Sequence, residues 1–313
     1  MLLALAPMQD VTDLAFMRTL FRLGSLPDRW VAPYFRSTRT TCALSEANMR
    51  CILENETGVP IWAQLAGSEP EALARDARHL LPLPVAGIQL NAGCPSPLVN
   101  RHGAGAALLR EPSRFREVLA ALREVVPPGR FSVKCRLGWE KREEFPRLLE
   151  LLREACPDEV MIHARTRKEL YGGTPHPEEV ALAVRRLDCP VWGNGDIDSP
   201  EVARRWERET GVAGLALGRG AVRCPYLFRM LRGGAAPAAE EMQQYYAVLM
   251  EETGRLLGER LTPAGHCNRM KKYLTFCYPD LTAEAEYALR RCTDEAAMLH
   301  LLTDRRSLVS CGA

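Results

Sequence analysis

The stretch PVWGNGDIDSPEVARRWERE, residues 190–209, contains one complete strand–loop–helix unit. Residues 190–196 begin as a short apolar strand and turn polar at Asn194. Ser199 is a favourable helix N-cap, and Pro200 suits the first position of the helix that follows. The same order, a short apolar run and then a longer helical pattern, recurs along most of the chain and decides the predicted fold.

Eight such units precede the C-terminal third of the chain. The predicted strands span residues 2–6, 29–35, 60–67, 85–90, 131–138, 159–164, 190–196 and 213–220. Helices are predicted near 12–24 with Thr12 or Asp13 as cap, near 38–52, after Ser68 as N-cap, from about Pro112, and near 141–155 and 177–187. This alternation predicts a parallel sheet, and eight units predict a (β/α)8 TIM barrel. A doubly wound sheet is disfavoured, because residues 6–13, APMQDVTD, lack the G-x-G-x-x-G that would follow its first strand.

The pattern changes after residue 233. Residues 233–241, GGAAPAAEE, have the composition of a linker. Only helical patterns follow, over 239–258, 263–277, 282–291 and 294–303. We therefore predict a TIM-barrel catalytic domain over residues 1–233 and a small all-helical domain over residues 234–313.

Composition limits the classes of partner. The 313 residues are 47% hydrophobic and 26% charged, as in ordinary globular proteins, and the formal net charge is only +2. Binding of a polyanion would therefore need a local basic patch. The eleven cysteines include no C-x-x-C pair, which argues against a zinc ribbon or an iron–sulfur cluster. We expect no metal, no membrane-spanning run, no signal peptide and a cytoplasmic protein.

Polar residues and glycines concentrate where the predicted strands end. In a TIM barrel the active site lies at the carboxyl ends of the strands. Lys134 interrupts an apolar strand, and its burial is costly without a partner. It could form a structural ion pair, but its neighbours favour a site. The other candidates are Pro7, Met8, Gln64, Asn91, Cys94, Arg136, His163, Arg165, Asn194, Gly195, Asp196, Gly218, Arg219 and Gly220.

The ends of the last two strands suggest a phosphate site. NGD (194–196) and GRG (218–220) place glycines where backbone N–H groups can approach a phosphate. Arg219 would add charge, and the following short helix would add its dipole. The alternative is that these glycines only close tight turns.

A series of motifs resembles one enzyme family. In order, they are APMQDVTD (6–13), QLAGS (64–68), LNAGCPSP (90–97), GAGAALL (103–109), KCRLG (134–138), HART (163–166), NGDI (194–197) and GRGA (218–221). The series resembles the flavin-dependent tRNA-dihydrouridine synthases over residues 4–222. NRMKKYL (268–274) resembles the tRNA-binding helical domain of that family.

The resemblance implies FMN at the barrel mouth, NADPH as reductant, and reduction of the C5–C6 double bond of a uridine in tRNA. Pro7, Met8 and Gln64 would contact the isoalloxazine. Lys134 and His163 would contact the ring or the ribityl chain. Asn91 would line the uracil pocket, with Arg165 near the flavin or the uracil. The ribityl chain and phosphate would be held by Asn194, Gly195, Asp196, Gly218 and Arg219.

Cys94 lies in GIQLNAGCPSP (87–97), immediately after an apolar strand. By itself this cysteine could be a small buried filler. The resemblance implies that hydride passes from the reduced flavin to uracil C6 and that Cys94 protonates C5. A thiol with a pKa of about 8.5 suits this task, because it is protonated near neutral pH and can still give up its proton.

The RNA must be bound and its uridine extruded from the stack. Arg269, Lys271 and Lys272 form a basic cluster with no acidic residue between positions 260 and 279, and we predict phosphate contacts there. Arg101, after the cysteine loop, is a further candidate. The alternative for these cations is a solvated surface. Tyr273 and Phe276 could stack bases, but a core role is favoured for Phe276.

Two positions depart from the family pattern. Ala32-Pro33 stands where members often carry Thr-Glu, and Glu169 stands where some carry glutamine. The length of the helical region favours the bacterial subfamily that modifies position 16, with position 20 open. The alternatives are an FMN barrel acting on a free pyrimidine, such as a dihydroorotate or dihydropyrimidine dehydrogenase, and an RNA-binding barrel without activity. We expect a monomer.

Overall fold

A computed structural model describes residues 1–40, 44–258, 262–277 and 281–304. Within these residues nine strands form one parallel sheet that closes on itself. The strands are β1 (Leu2–Leu5), β2 (Arg29–Val31), β3 (Phe35–Arg36), β4 (Ile61–Ala66), β5 (Gly87–Ala92), β6 (Phe131–Arg136), β7 (Glu159–His163), β8 (Val191–Asn194) and β9 (Gly214–Leu217). Both β2 and β3 pair with β4, so they share one of eight barrel positions. The predicted TIM barrel is confirmed.

Helices surround the barrel. They are α1 (Leu14–Arg22), α2 (Glu46–Leu53), α3 (Pro70–Leu80), α4 (Pro97–Asn100), α5 (Pro112–Val125), α6 (Phe145–Ala155), α7 (Pro177–Arg186), α8 (Pro200–Thr210), α9 (Arg219–Arg223) and α10 (Leu227–Leu231). Short 3-10 helices cover Gly105–Arg110 and Arg142–Glu144. Asp13 caps α1 and Ser199 caps α8, each accepting a hydrogen bond from a backbone N–H of the first turn, as predicted.

Three sequence-based boundaries were wrong. The predicted strand 29–35 is interrupted because Pro33 cannot donate a ladder hydrogen bond. The Ser68 hydroxyl donates to the His102 carbonyl (2.8 Å) and does not cap α3, which follows Glu69. The third error is α2, which begins at Glu46 and not near residue 38; residues 41–43 of that prediction lie outside the described residues.

The barrel interior has an apolar middle and two polar ends. The middle is a cluster of inward-facing residues, Ala4, Ala6, Val31, Trp62, Met161, Trp192 and Ala216. Near the amino ends of the strands, Arg29 forms an ion pair with Glu159 and lies between the rings of Trp62 (4.8 Å) and Trp192 (4.2 Å). The Trp192 indole N–H also donates to Glu159 (3.1 Å). This end is closed.

The C-terminal helices pack directly on the barrel. They are α11 (Ala239–Leu257), α12 (Pro263–Leu274), α13 (Ala283–Arg291) and α14 (Glu295–Thr303), close to the predicted bounds. Arg22 of α1 pairs with Glu251 and Glu252 of α11, and the Tyr245 hydroxyl donates to the Val222 carbonyl (2.8 Å). One apolar cluster includes side chains from the barrel helices and from these helices. The division at residue 233 stays a prediction.

The described part of the chain meets the requirements of neither a membrane helix nor a metal site. Among the residues whose placement is described, no helix is long and apolar enough to cross a bilayer. The same residues contain no group of three or more His, Cys, Asp or Glu side chains arranged to hold a metal ion.

Candidate active site

A cavity of about 680 Å³ opens at the carboxyl ends of the strands, opposite the closed end. Its wall includes loops after β1, β5, β7, β8 and β9, so residues distant in sequence meet there. The structure brings together most of the predicted site residues on this wall, namely Pro7, Met8, Asn91, Cys94, Lys134, His163, Asn194, Gly195, Asp196, Gly218 and Arg219.

The loop that carries Cys94 is held from both sides. The Asn91 Oδ1 atom accepts hydrogen bonds from the backbone N–H groups of Gly93 (3.1 Å) and Cys94 (2.9 Å). The Cys94 carbonyl accepts from the Asn100 side-chain amide (2.8 Å) and from the Ala106 N–H (3.0 Å). These four bonds fix the loop, so the thiol is presented to the cavity from a rigid backbone.

A glycine beneath this loop is required by geometry. Gly105 has φ +63°, a conformation that side-chain-bearing residues rarely adopt. A Cβ there would lie 2.9 Å from both the Cys94 carbonyl oxygen and Val99 Cγ1. The second glycine of GAGAALL therefore allows the chain to pass directly under the cysteine loop.

The Cys94 thiol is only partly buried. Burial raises its pKa above the usual value of 9.0, while the Ser96 backbone N–H and the charges of Lys134 and Arg136 act in the opposite direction. The thiol is therefore protonated at neutral pH. The two cations can stabilise the thiolate that remains after the proton is transferred.

Lys134 lies on the cavity wall with a weak partner. Its ammonium donates to Asn194 Oδ1 at 3.3 Å. Burial, and then repulsion from Arg136, lowers the pKa of Lys134 from 10.5 to about 8. This lysine forms no structural ion pair with any residue that the structure describes, so the site alternative is favoured for it.

Three arginines surround the lysine. Arg136 is 1% exposed, and it donates to the carbonyls of Gly93 (2.8 Å) and Leu170 (2.7 Å). Arg165 and Arg219 both form ion pairs with the Asp196 carboxylate. Asp196 has φ +46°, a strained conformation that is common at functional sites. Four cations thus lie around the Asp196 carboxylate, and Asp10, the other acid on the cavity wall, pairs with Lys272, so this end of the barrel has an excess of positive charge.

His163 is neutral in these surroundings. Burial, and then repulsion from Arg136, Lys134, Arg165 and Arg219, lowers its pKa well below 6.5. Its Nε2 atom lies 3.4 Å from an Arg165 guanidinium nitrogen. Because a guanidinium only donates, Nε2 is the acceptor, and the proton of the neutral ring resides on Nδ1.

Apart from the cations of α12, three predicted site residues do not line the cavity. Gln64 is fully buried below Asn91, which donates to it at 2.9 Å. Arg165 is fully buried behind His163 and Asp196, and it also donates to the carbonyls of Gly172 and Gly173. Arg101 is exposed, and its side chain donates to His102 (2.9 Å). The first two support the wall, whereas the role of Arg101 stays a prediction.

Sequence reasoning missed several residues of the wall, among them Tyr34, Leu98, Leu170 and Tyr171, and it favoured a core role for Phe276, which also lies on the wall. The Tyr171 ring lies near two guanidinium groups, those of Arg219 (4.9 Å) and Arg136 (5.4 Å). Pro33, one residue before Tyr34, was the available signal for a strand break. Phe276 packs partly against the core and also borders the cavity, so the region after α12 reaches the site.

The basic cluster of α12 is largely occupied. Arg269 forms an ion pair with Asp13 and donates to the Asp10 carbonyl (2.6 Å), and Lys272 donates to the Asp10 carboxylate (2.9 Å). Lys271 donates to the Asn268 side chain (3.1 Å) and keeps no carboxylate partner in the part of α12 and its neighbours that is described. The acids come from the β1–α1 loop, distant in sequence. Arg269 therefore holds α12 to a cavity loop, and its predicted phosphate contact stays a prediction. Tyr273 is fully buried core.

The two departures from the family pattern have structural roles. Ala32 and Pro33 form the break between β2 and β3, and both are buried. Glu169 lies in the β7–α7 loop, where its carboxylate accepts from the Thr166 N–H (2.6 Å) and hydroxyl (2.8 Å) and lies 2.9 Å from His176 Nε2. Glu169 therefore shapes this loop and does not line the cavity.

Solved structures that resemble this chain are barrel reductases. Morphinone reductase aligns over 76% of this chain and 87% of its own, with a TM-score of 0.55 and 13% identity. The old yellow enzyme homologue of Zymomonas mobilis covers 77% of this chain and 90% of its own, with a TM-score of 0.54 and 13% identity. At this identity the likeness concerns the fold.

Curated relatives are more similar in sequence. The tRNA-dihydrouridine synthase B of Pseudomonas aeruginosa is 34% identical over 81% of this chain and 77% of its own. The tRNA-dihydrouridine(16) synthase of Haemophilus ducreyi is 32% identical over 88% and 87% of the two chains. The enzyme of the same name from Cupriavidus necator is 32% identical over 96% of each.

The family model for dihydrouridine synthases matches residues 4–305, which include the barrel, the cavity and the C-terminal helices. The resemblance seen in the motifs is therefore confirmed over nearly the whole chain. With its cysteine loop and its cation-rich barrel mouth, this chain belongs to the dihydrouridine synthase family of flavin-dependent oxidoreductases.

Proposed function

We propose that this enzyme reduces the C5–C6 double bond of uridine 16 in the D-loop of tRNA, with FMN as cofactor and NADPH as reductant. The observation that carries the proposal is a thiol on a loop fixed by hydrogen bonds, on the wall of a cavity with an excess of positive charge. A barrel acting on a free pyrimidine could share this thiol and cavity, so the tRNA-modifying relatives and the C-terminal helices favour tRNA over that alternative.

The cavity fits a flavin mononucleotide. Pro7 and Met8 offer apolar contact for the ring, and Lys134 and Arg219 offer charge for its polar edge and for a phosphate. A Cβ added to Gly218 would lie 3.1 Å from the Met8 sulfur, so glycine keeps this part of the wall open. Such a flavin supplies the two reducing electrons of the reaction when bound.

Cys94 holds the proton that the reduction requires. The S–H bond breaks as a C–H bond forms at C5 of the uracil, and a thiolate remains. Lys134 and Arg136 favour that thiolate electrostatically. Asn91 fixes the loop backbone and itself lines the cavity, so it would form part of the pocket for the uracil.

Two observations support tRNA as the substrate. Curated relatives that cover almost the same length carry tRNA-dihydrouridine(16) synthase as their name. Phe276, directly after α12, borders the cavity, so an RNA bound to the C-terminal helices would lie against the site. We place the enzyme in the cytoplasm with its tRNA and propose that it acts as a monomer.

The test is dihydrouridine formation in unmodified tRNA transcripts. The FMN-loaded protein is incubated with NADPH, and the product is mapped by mass spectrometry in transcripts with cytidine at position 16 or at position 20. We expect loss of product only with cytidine 16. In the Cys94→Ala variant the rate should fall about a thousandfold, whereas Cys156→Ala, which removes an exposed and distant thiol, should be neutral.

Other outcomes would redirect the assignment. Product lost only with cytidine 20 would contradict the position. Reduction of free uracil or orotate, with no change in tRNA, would support a free-base dehydrogenase. No turnover of either substrate by protein that is replete with flavin would support the inactive barrel.

A further inference from the structure

A chain of four buried polar side chains crosses three strands below the cavity. Asn91 donates to Gln64 Oε1 (2.9 Å), Gln64 donates to Gln89 Oε1 (2.7 Å), and Gln89 donates to the Ser132 hydroxyl oxygen (3.0 Å). Gln64, Gln89 and Ser132 are each 0% exposed. The strand register places these three residues directly side by side on β4, β5 and β6.

The hydrogen bonds of this chain run in a single direction. At its upper end, Asn91 Oδ1 accepts from two backbone N–H groups of the cysteine loop, which a carboxamide nitrogen could not do. The Asn91 nitrogen must therefore point down to Gln64 Oε1. Because Gln64 accepts through its oxygen, its nitrogen donates to Gln89 Oε1, and the Gln89 nitrogen in turn donates to the Ser132 hydroxyl oxygen.

The position of the chain is unusual for polar groups. It lies in the barrel interior, next to apolar inward-facing side chains such as Trp62 and Met161. Carboxamides buried there are tolerated only when their hydrogen bonds are made. Gln89 does not border the cavity, so any effect it has on the site must pass through Gln64 and Asn91.

We propose that Gln89 is a positioning residue for Cys94. Its carboxamide accepts from Gln64 and donates to Ser132, and this fixes the orientation in which Asn91 holds the cysteine loop. Without Gln89, the Gln64 and Asn91 carboxamides can rotate, and Asn91 can present its nitrogen to N–H groups that need an acceptor. The loop would then open and expose the thiol.

The reactivity of the thiol tests this independently of turnover. Full-length, FMN-loaded protein is treated with iodoacetamide, and alkylation of the Cys94 peptide is followed by mass spectrometry between pH 7 and pH 10. In Gln89→Met, we expect alkylation of Cys94 about fivefold faster, with a lower apparent pKa because the thiol is better solvated. Alkylation of exposed Cys156 in the same sample should be unchanged.

The second readout rests on the proposed function. Dihydrouridine formation in Gln89→Met should show kcat about tenfold lower, with the KM for tRNA within about twofold, because the proton donor is displaced and the RNA contacts are not. Ser132→Ala should give a smaller effect of the same kind, and Ser132→Thr, which keeps the hydroxyl, should restore the wild-type values. Thr19→Val is the matched control, because the Thr19 hydroxyl is equally buried and does not belong to this row of hydrogen-bonded side chains.

Each outcome decides the proposal. Unchanged Cys94 reactivity in folded Gln89→Met or Ser132→Ala would overturn it, whether or not the enzyme acts on tRNA. Should Gln89→Met fail to fold, Ser132→Ala and Ser132→Thr give the same decision. Altered reactivity without any tRNA turnover in the wild type would contradict the proposed function and leave the positioning role supported.

Discussion

The two ends of this barrel both bury charged side chains, but they treat them differently. At the closed end, Arg29 has Glu159 as a partner and lies between the rings of Trp62 and Trp192. At the open end, Lys134 has only the Asn194 amide, and Arg165 and Arg219 share the single carboxylate of Asp196. One end is electrically balanced, whereas the other has more cations than carboxylates.

The difference teaches how to separate structural charge from functional charge. A buried ion that is paired and covered by aromatic rings contributes to a closed, packed structure. A buried cation without a carboxylate costs stability in the protein alone, and that cost is recovered only when an anionic ligand binds. At the open end, a substitution that removes a cation should therefore stabilise the ligand-free protein and weaken the binding of an anionic ligand.

The largest expected effect is at the closed end. Glu159→Gln removes the charge that neutralises Arg29, and we expect the free energy of unfolding to fall by about 3 kcal/mol. Chemical denaturation measures this, and flavin affinity of the folded protein should not change. The control is Glu154→Gln, which alters an exposed pair with Arg116 and should have little effect. Weaker flavin binding in folded Glu159→Gln would contradict the separation of the two ends.

At the open end, Lys134→Met should stabilise the flavin-free protein and weaken FMN binding. Removing a cation that lacks a carboxylate should raise the free energy of unfolding of the flavin-free protein by roughly 1 kcal/mol. FMN affinity should fall about a hundredfold, since the ammonium no longer faces the bound anion. Isothermal titration and thermal melting measure the two quantities. Loss of stability together with unchanged affinity would make Lys134 a structural residue like Arg29.

Helix α12 contains the same contrast between a cation with a carboxylate partner and a cation without one. Arg269 is buried against Asp13, so Arg269→Ala should lower the free energy of unfolding by about 2 kcal/mol through loss of a partly buried ion pair. Lys271→Ala is the matched variant on the same helix and should leave stability unchanged. It should weaken tRNA binding by about twofold and reduce the dependence of binding on salt, as expected for one phosphate contact. If Arg269→Ala instead weakened tRNA binding and left stability unchanged, Arg269 would be supported as a phosphate contact.

The smallest expected effect is a pH dependence. The pKa of Lys134 is lowered from 10.5 to about 8, so its positive charge is present below that value and is lost as the pH rises through it. FMN affinity should therefore fall by about tenfold between neutral pH and about pH 9. Over the same range the unfolded chain keeps this proton, so the contribution of Lys134 to stability rises with pH. An identical pH dependence in Lys134→Met would assign it to another group.

The repeating units predicted the barrel, because strand–helix alternation is local in sequence. The cavity residues at strand ends followed from the fold, since parallel strands bring their carboxyl ends together. The sequence was misleading where a partner came from far away. No acid lies near Arg269 in the chain, yet Asp10 and Asp13 meet it across the α1–α12 contact.

The carboxamide chain also escaped prediction. Gln89 lies in a strand that is otherwise mostly apolar, so the sequence pattern does not single it out. Its role depends on the strand register, which places Gln64 and Ser132 beside it. Tyr171 lies in the irregular β7–α7 loop and Phe276 lies directly after α12, and tertiary packing decides that both side chains reach the barrel mouth. Local periodicity contains no information about either.

The first strand of the barrel to be synthesised pairs with the last, so the barrel cannot close in the order of synthesis. Strand β1 needs β9 as a neighbour, with Leu2 opposite Gly214, and α1 needs α11 and α12 as partners through Arg22 and Asp13. On a ribosome, the first strand and helix are synthesised long before any of these partners. Strand β1 and helix α1 must therefore wait with an uncovered apolar face until β9, and then α11 and α12, have left the exit tunnel.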